Sequence, residues 1–526
     1  MFGAIRARVM HAVRRSGPDL LLGLTACVAV VSVGTWTRRA PLPLLSDDMA
    51  YLMNACGLAR LASLEWGPGY AALYCGLRQV VADPLHAFWA KQAMVPLLAG
   101  VLVHQLCLRF RLGPVLAPLS ALWCVLALLS VNGTVEFAFL LGLMACLCVA
   151  SNERAGWVWF FAFMGLAFLV RPEYLVGVAS ALALLFWRRD RALRWGQIAG
   201  AVVLAGCLFL AWESGAAGRG RSWFAFGQQF AVNYAAAHEL AGDPLVEWQS
   251  VAAQAFPTSG SIAEAVRENP RAAVWHLGYN VFVRVPRAVA GVLVPVPSFV
   301  AWRFPWREML AAAVVVAALL ATFAGVRSSH LRSPHLAPLL ALATIPSVSL
   351  VFRPQARHFL PLLPLAVVLV GTALRPGAEE RHPRLGGGLR AVFIGVLLLG
   401  LASPWVHWAR MPPLPGVSLD GWIRSLRHDA RRGRLRLLAS WYADRACALV
   451  GPDCRAVSPA DFIDGHEVDV VLIGPDWAAR PDVQGDPRVR AFVSRPEDFG
   501  CDAGTSTPEG FRLVRCRPPL KLAPPG

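Results

Sequence analysis

The chain has 526 residues, of which 56% are hydrophobic and 16% are charged. A soluble protein of this size carries about 25% charged residues, so the composition predicts that most of the chain lies in lipid. The formal net charge of +17 comes from arginines that flank hydrophobic runs, which is the pattern of membrane-span ends. A nucleic-acid partner is excluded, because no basic, aromatic-studded soluble region is visible.

Apolar runs long enough to approach a membrane span recur along most of the chain. A span needs roughly 20 apolar residues. The runs fall near residues 18–36, 89–109, 113–131, 135–150, 157–170, 174–187, 196–212, 308–325, 334–351, 359–374 and 390–408. The stretch Val281–Val300 is interrupted by prolines and arginines, which favours a re-entrant or interfacial segment. We therefore predict an α-helical polytopic membrane protein of about 11 transmembrane helices, with the first span retained.

Basic residues set the predicted orientation. With the N-terminus inside, nearly every arginine-rich short loop faces the cytoplasm, as the positive-inside rule requires. Two long loops, 37–88 and 213–307, and the tail 409–526 then lie outside. The predicted domains are a transmembrane domain at 1–408, which carries both loops, and a periplasmic soluble domain at 409–526. The arginine-rich, lysine-poor usage favours a GC-rich bacterial genome and hence a bacterial inner membrane.

The outer regions carry local patterns of their own. Aromatic residues among polar ones in the 213–307 loop predict helices folded over a site. In the tail, Val468–Ile473 and Phe511–Val514 predict strands and 420–450 predicts helix, which together make a small α/β unit. Four tail cysteines suit disulfides in an oxidising compartment, and their pairing stays open. They are Cys447, Cys454, Cys501 and Cys516.

Asp47 and Asp48 follow the first span directly. Carboxylates beside hydrocarbon are costly and therefore suggest function. Either aspartate suits a general base, which must reach the hydroxyl it deprotonates, and both together suit a divalent cation such as Mg²⁺ or Mn²⁺. The alternative is that one of them caps a surface helix that starts there. Both readings hold if each residue takes one role.

Three further polar groups lie at outer span ends. Arg171-Pro172-Glu173 ends the fifth span, and its alternative role is a salt bridge at a proline-terminated helix. Glu136 begins the fourth span, where it either supports a site or marks a tight link. In the third group Arg353, Arg357 and His358 open the tenth span. Paired guanidinium groups there suit a lipid-linked phosphate, whereas the alternative is arginines that snorkel to the headgroups. The three groups and the aspartates are on one predicted side.

Together these residues resemble the GT-C class of integral membrane glycosyltransferases, the superfamily of protein O-mannosyltransferases and aminoarabinose transferases. Asp47-Asp48 matches an acidic pair in a long first outer loop, although Asp48 stands where Glu is common. Arg171-Pro172-Glu173 resembles an Arg-Pro-Glu near a later outer span end. The stretch from Arg357 to Pro364 resembles an Arg-Tyr-x-x-Pro-x-x-Pro motif, with His358 in place of Tyr. The likeness covers about residues 10–408.

The resemblance implies an inverting glycosyl transfer from a polyprenyl-phosphate-linked sugar to a lipid, glycan or protein acceptor at the periplasmic face. Asp47 would be the base, and Asp48 would orient the acceptor or bind a cation. Arg357, with Arg353 and His358, would neutralise the leaving phosphate. Arg171 and Glu173 would form a supporting ion pair at the pocket wall.

Two other functions stay open on the sequence. A polytopic lipid or polysaccharide transporter or flippase would also carry arginines for lipid phosphate. Such proteins commonly show repeat-related broken helices, and no internal repeat is apparent here. The second alternative is a non-catalytic assembly protein that recruits partners through its tail.

Overall fold

The structure is a computed structural model that describes residues 22–33, 51–52, 56, 68–130, 135–188, 193–213, 221–240, 244, 247–293, 336–373, 419–439, 443–473, 477, 486–506 and 512–522. These residues group into two compact units. One is drawn from 1–38, 56–77 and 89–409, and the other from 39–55, 78–88 and 410–526. The predicted boundary between residues 408 and 409 lies outside the described residues.

Helices joined by short turns make up the described part of the chain as far as residue 373. In chain order they are α1 (Leu22–Val33), α2 (Pro68–Val80), α3 (Pro84–Arg109), α4 (Leu116–Ser130), α5 (Val135–Ser151), α6 (Glu153–Val170), α7 (Tyr174–Arg188), α8 (Arg194–Glu213), α9 (Arg221–His238), α10 (Trp248–Ala255), α11 (Ile262–Glu268), α12 (Pro270–Tyr279), α13 (Val285–Leu293), α14 (Leu336–Ala343), α15 (Ala356–Phe359) and α16 (Leu363–Ala373). A π-helical turn, Asn280–Arg284, joins α12 to α13, and 3₁₀ turns at Ile345–Leu350 and Leu360–Leu362 flank α15.

Three of the described helices are long and apolar enough to cross a membrane by length and composition, namely α3, α6 and residues 194–211 of α8. Shorter apolar helices stand at most of the other predicted spans. The predicted spans at 308–325 and 390–408 lie outside the described residues, and the total of 11 stays a prediction. Tryptophan and phenylalanine side chains such as Trp187 and Phe209 are largely exposed, as lipid-facing residues are.

Small residues let α8 pack closely on α6. A Cβ at Gly196 would lie 2.7 Å from the Cβ of Trp157, and one at Gly200 would lie 2.6 Å from Phe161 Cζ. Neither distance is tolerable, so only glycine permits this approach. Helices in lipid associate through such contacts, because apolar burial alone gives little drive there.

The predicted outer loop 213–307 is mostly helical where it is described, as its aromatic pattern predicts. Buried phenylalanines from α9 and the α10–α11 turn form its core, among them Phe226, Phe230 and Phe256. Residues 351–352 pack against the same core. The core of this loop therefore includes the backbone that leads directly into Arg353.

The second unit contains a five-stranded sheet in the order β2-β1-β3-β5-β4. The strands are β1 (Leu435–Ala439), β2 (Cys454–Val457), β3 (Val468–Ile473), β4 (Thr505–Ser506) and β5 (Arg512–Leu520). Its helices are α17 (Leu419–Arg431), α18 (Ala443–Val450), α19 (Pro459–Ile463) and α20 (Pro487–Ser494). The first three strands run parallel and β5 is antiparallel to β3.

The prediction of one helix over 420–450 is wrong. A turn at Gly433 ends α17, and the apolar run Leu435–Ala439 becomes a central strand between β2 and β3. A short apolar run is compatible with helix or buried strand, and here the neighbouring parallel strands decide between them.

Disulfides join six of the twelve cysteines. The bonds are Cys447–Cys454 and Cys501–Cys516 in the tail and Cys56–Cys75 in the first loop. The other six cysteines lie in apolar helices and are free. The bonded cysteines are thus those that the predicted orientation places outside, where disulfides persist.

Candidate active site

The acidic pair predicted to carry the chemistry, Asp47 and Asp48, lies outside the described residues. Its roles as base and cation ligand therefore stay predictions from the sequence. Among the described residues no group of three or more histidine, cysteine and acidic side chains is arranged to hold a metal ion. The basic groups of the predicted site are all described, and they set its geometry.

Arg171, Pro172 and Glu173 connect α6 to α7 without a further residue. Arg171 has an extended backbone, and its N–H caps α6 by donating to Ala167 O over 2.8 Å. Its guanidinium Nε donates to Glu173 Oε1 over 2.9 Å. Both side chains are about one-fifth exposed. This half-buried ion pair holds the Arg171 side chain rigidly at the end of α6.

The second basic group is the segment 353–358. Gln355 has an extended backbone, and α15 begins one residue later. A Cβ at Gly291 would lie 2.8 Å from the Cβ of Ala356, so α13 and α15 approach closely because residue 291 is glycine. The arginines of the segment are therefore fixed between α13 and the start of the next apolar helix.

Positive charges lie close together around this segment. Burial lowers the pKa of Arg353 to about 10, and the charges of Arg284 and Arg357 add to that lowering. The charges of Arg357 and Arg171 both act on the His358 ring. The structure thus brings Arg171 together with the 353–358 segment, although 181 residues lie between Arg171 and Arg353 in the chain. It also adds Arg284, which the sequence did not single out.

Glu136 forms a buried ion pair with Lys91. Lys91 Nζ lies 3.0 Å from Glu136 Oε2, and the two side chains are 0% and 1% exposed. The same ammonium group lies 5.3 Å from the centre of the Tyr70 ring. The pair joins α3 to α5 and the start of α2. Sequence reasoning missed Lys91, although a lysine within an apolar run is itself a signal of function or pairing.

We expect single replacements of this pair to be more destabilising than the double replacement. Lys91→Met removes the cation that faces a buried carboxylate, which costs about 3–5 kcal/mol, whereas Lys91→Met with Glu136→Met removes both charges and is close to neutral. Thermal unfolding of the purified protein in detergent should show a large fall in midpoint for the single variant and recovery in the double one. Equal destabilisation by both variants would show that the charges do not depend on each other.

A buried polar network lies behind the arginines. It consists of Asn233 on α9, His276 on α12, and Asn280 and Arg284 on the π-helical turn. Asn280 Nδ2 donates to Leu350 O over 2.8 Å and to Phe352 O over 2.9 Å. His276 Nε2 lies 2.8 Å from Phe352 O. The network therefore holds the backbone immediately before Arg353.

His276 is neutral in this network. Burial lowers its pKa to about 4, even though its contacts with two backbone carbonyls oppose that change. A neutral ring satisfies both neighbours when Nε2–H donates to Phe352 O and Nδ1 accepts from Asn233 Nδ2 over 3.2 Å. The sequence does contain a signal for the network, since His276, Asn280 and Arg284 recur every four residues.

Comparison with known proteins finds similarity at the level of structure. Neither a protein-family profile nor a curated protein sequence matches the chain. The similar solved structures are GT-C glycosyltransferases. The arabinofuranosyltransferase AftD from Mycobacteria has a TM-score of 0.42 and 12% identity, with 94% of this chain and 39% of that one covered. This chain thus spans well under half of the length of AftD.

Two further structures have comparable similarity. The oligosaccharyltransferase of Archaeoglobus fulgidus in its apo form has a TM-score of 0.46 and 10% identity, covering 89% of this chain and 72% of that one. ArnT from Cupriavidus metallidurans in the apo state has a TM-score of 0.34 and 13% identity, covering 95% and 98%.

Proposed function

We propose that this protein is a membrane glycosyltransferase of the GT-C type, which moves a sugar from a polyprenyl-phosphate donor to an acceptor hydroxyl with inversion at the anomeric carbon. The observation that carries the proposal is the cluster of guanidinium groups around the 353–358 segment. Arg353 is half-buried close to two like charges, those of buried Arg284 and half-buried Arg357. Like charges withdrawn from water are costly unless an anion joins them. A lipid-linked phosphate at a membrane surface supplies that anion.

The reaction follows from where charge develops. Asp47 takes the proton of the acceptor hydroxyl, whose oxygen attacks the anomeric carbon of the donor. The bond between that carbon and the phosphate oxygen breaks, and the electron pair leaves with the phosphate. Arg357 and Arg353 stabilise the growing phosphate charge, and His358 adds an N–H donor. Asp48 orients the acceptor or binds a divalent cation.

Arg171 and Glu173 support the site without joining the chemistry. Their ion pair is half-buried, and Arg171 places a further positive charge against His358. The pairing leaves the guanidinium partly neutralised, so it adds less to phosphate binding than Arg357 does. Glu136 acts one step further away, through its buried pair with Lys91. The two acids are therefore structural neighbours of the site in this proposal.

The disulfides support a periplasmic orientation. Cys56–Cys75 belongs to the predicted first outer loop, and the two other bonds belong to the predicted outer tail. Disulfides of this kind persist in the bacterial periplasm and are rare in the cytosol. We therefore place the active site on the periplasmic face of a bacterial inner membrane, with the lipid-linked donor reaching it from the bilayer.

The discriminating experiment distinguishes transfer of the sugar to an acceptor from movement of the intact donor across the membrane. The purified protein in proteoliposomes is given a panel of polyprenyl-phosphate-linked hexoses and pentoses together with envelope acceptors. We expect at least one labelled sugar to become covalently attached to an acceptor, with stoichiometric release of polyprenyl phosphate. Passage of intact donor between leaflets without release would instead support the flippase alternative and contradict the transferase.

A further inference from the structure

Arg284 is a buried cation whose charge meets no acidic side chain among the residues that the structure describes. Its side chain is 7% exposed. Within the described part of the chain, no carboxylate lies within ion-pair distance of it, and the positive charge of Arg287 acts on it unfavourably. Its guanidinium carbon lies 5.4 Å from the centre of the Tyr279 ring. A ring face offsets a full charge only partly, so the residues that the structure describes leave most of the charge of Arg284 uncompensated.

Neutral side chains hold this arginine in one orientation. Arg284 Nε donates to Asn233 Oδ1 over 2.8 Å. Asn233 Nδ2 in turn donates to Asn280 Oδ1 over 2.8 Å and faces His276 Nδ1 at 3.2 Å. The hydrogen bonds all have the same donor-to-acceptor direction, which leads from the guanidinium group of Arg284 to the carbonyl groups of residues 350–352. Such a network fixes a charge without neutralising it, which is how a preformed anion site is built.

The same network sets the distance from Arg284 to the arginine segment. Asn280 lies one turn before Arg284 and bonds to Phe352 O, the carbonyl immediately before Arg353. The charge of Arg284 is felt at Arg353. The turn that carries both residues is π-helical. This geometry is rare in proteins as a whole, but where it occurs it is often at a functional site. Three guanidinium groups thus come from two segments that one network ties together.

We propose that Arg284 is a third cation of the donor-phosphate site, and that Asn233, His276 and Asn280 are positioning residues that aim it at the same phosphate oxygens as Arg353 and Arg357. The inference rests on the proposed function, because it assigns the anion to a lipid-linked phosphate. Arginine suits this role, since Nε can bond to Asn233 while the two Nη groups face an anion in a fixed fork.

The test measures binding of polyprenyl phosphate and of unphosphorylated polyprenol to the full-length protein in nanodiscs. Arg284→Gln should weaken polyprenyl phosphate binding by about 10- to 100-fold, the range of one charge-assisted hydrogen bond, with polyprenol binding unchanged. Arg284→Lys should recover part of the loss. Asn233→Ala, which leaves the charge but frees its orientation, should fall between wild type and Arg284→Gln. Arg271→Gln, an exposed arginine on α12, is the matched control and should bind as wild type does.

The outcomes separate the inference from the function on which it rests. If the wild-type protein binds polyprenyl phosphate no better than polyprenol, both the proposed function and the inference are contradicted. Wild-type preference for the phosphate that survives in Arg284→Gln would overturn the inference alone. Equal loss of both ligands would assign Arg284 a purely structural role and also overturn it. If Arg284→Gln fails to fold, Arg284→Lys and Asn233→Ala still decide, since each keeps a positive charge at residue 284 and disturbs only its geometry.

A competition experiment distinguishes the two possible sources of the anion at Arg284, a lipid-linked phosphate and free inorganic phosphate. Inorganic phosphate is added as a competitor of polyprenyl phosphate in wild type and in Arg284→Gln. We expect weak competition in wild type, at millimolar concentration, and a further weakening in the variant. If Arg284→Gln abolishes the competition by inorganic phosphate but leaves polyprenyl phosphate binding intact, Arg284 serves a free anion and the inference is overturned.

Discussion

Asp47→Asn is expected to lower the rate of sugar transfer by about 100- to 10,000-fold, with donor binding unchanged. The replacement keeps the size of the side chain and removes its ability to accept a proton from the acceptor hydroxyl. The measurement is the initial rate of labelled sugar transfer by purified protein, together with binding of polyprenyl phosphate. A base acts on the acceptor and not on the donor phosphate, so the two readouts should separate.

A matched control lies in the same predicted loop. Asp83 accepts from the N–H groups of Leu85 and His86 and forms an ion pair with Arg427 at 2.6 Å. Asp83→Asn keeps the capping oxygen and loses an ion pair whose side chains are both 25% exposed, which contributes about 1 kcal/mol or less. We expect its transfer rate to stay close to wild type. Equal rates for Asp47→Asn and wild type would rule out Asp47 as the base.

Asp48 needs its own comparison, because two roles are open to it. If Asp48 binds a divalent cation, Asp48→Asn and a chelator applied to wild type should produce the same loss, and added Mg²⁺ or Mn²⁺ should restore only the wild type. If Asp48 orients the acceptor, Asp48→Asn should raise the KM for the acceptor while the chelator has no effect. The two results point to different chemistry at one carboxylate.

The apolar helices were largely predictable from the sequence, whereas one element of the sheet was not. Runs near 135–150 and 174–187 became α5 and α7 to within one residue at either end, because long apolar runs in lipid have helix as their only satisfied backbone state. Leu435–Ala439 was predicted as helix and is a strand. Its state depends on β2 and β3 beside it, which no local pattern encodes.

The candidate site divides in a similar way. Arg353 and Arg357 were visible because charges stand out at a span end. Their partner Arg284 was not, because Asn233 and His276, which give it a role, come from different helices of the outer loop. Burial of the network depends on how those helices fold over residues 350–352. Sequence spacing hinted at a polar stripe on one helix but could not show what that stripe contacts.

Arg357→Ala is expected to lower kcat for sugar transfer by about 100- to 1,000-fold, the cost of removing one preorganised donor to a developing negative charge. The phosphate oxygen gains charge as the bond to the anomeric carbon breaks, so the guanidinium binds the transition state more tightly than the donor. Both kcat and kcat/KM should therefore fall, whereas a residue that only held the donor would raise KM with kcat unchanged.

A conservative variant distinguishes the charge of Arg357 from its planar geometry, and a variant elsewhere serves as the control. Arg357→Lys keeps the positive charge without the planar fork, so partial recovery of kcat is expected. Arg267→Ala removes an exposed arginine of α11 and should transfer sugar at the wild-type rate. A rise in KM alone for Arg357→Ala would move the residue from leaving-group stabilisation to donor recognition. Unchanged transfer in both Arg357→Ala and Asp47→Asn would remove the transferase mechanism altogether, since neither the developing charge nor the acceptor proton would then depend on the residues assigned to it.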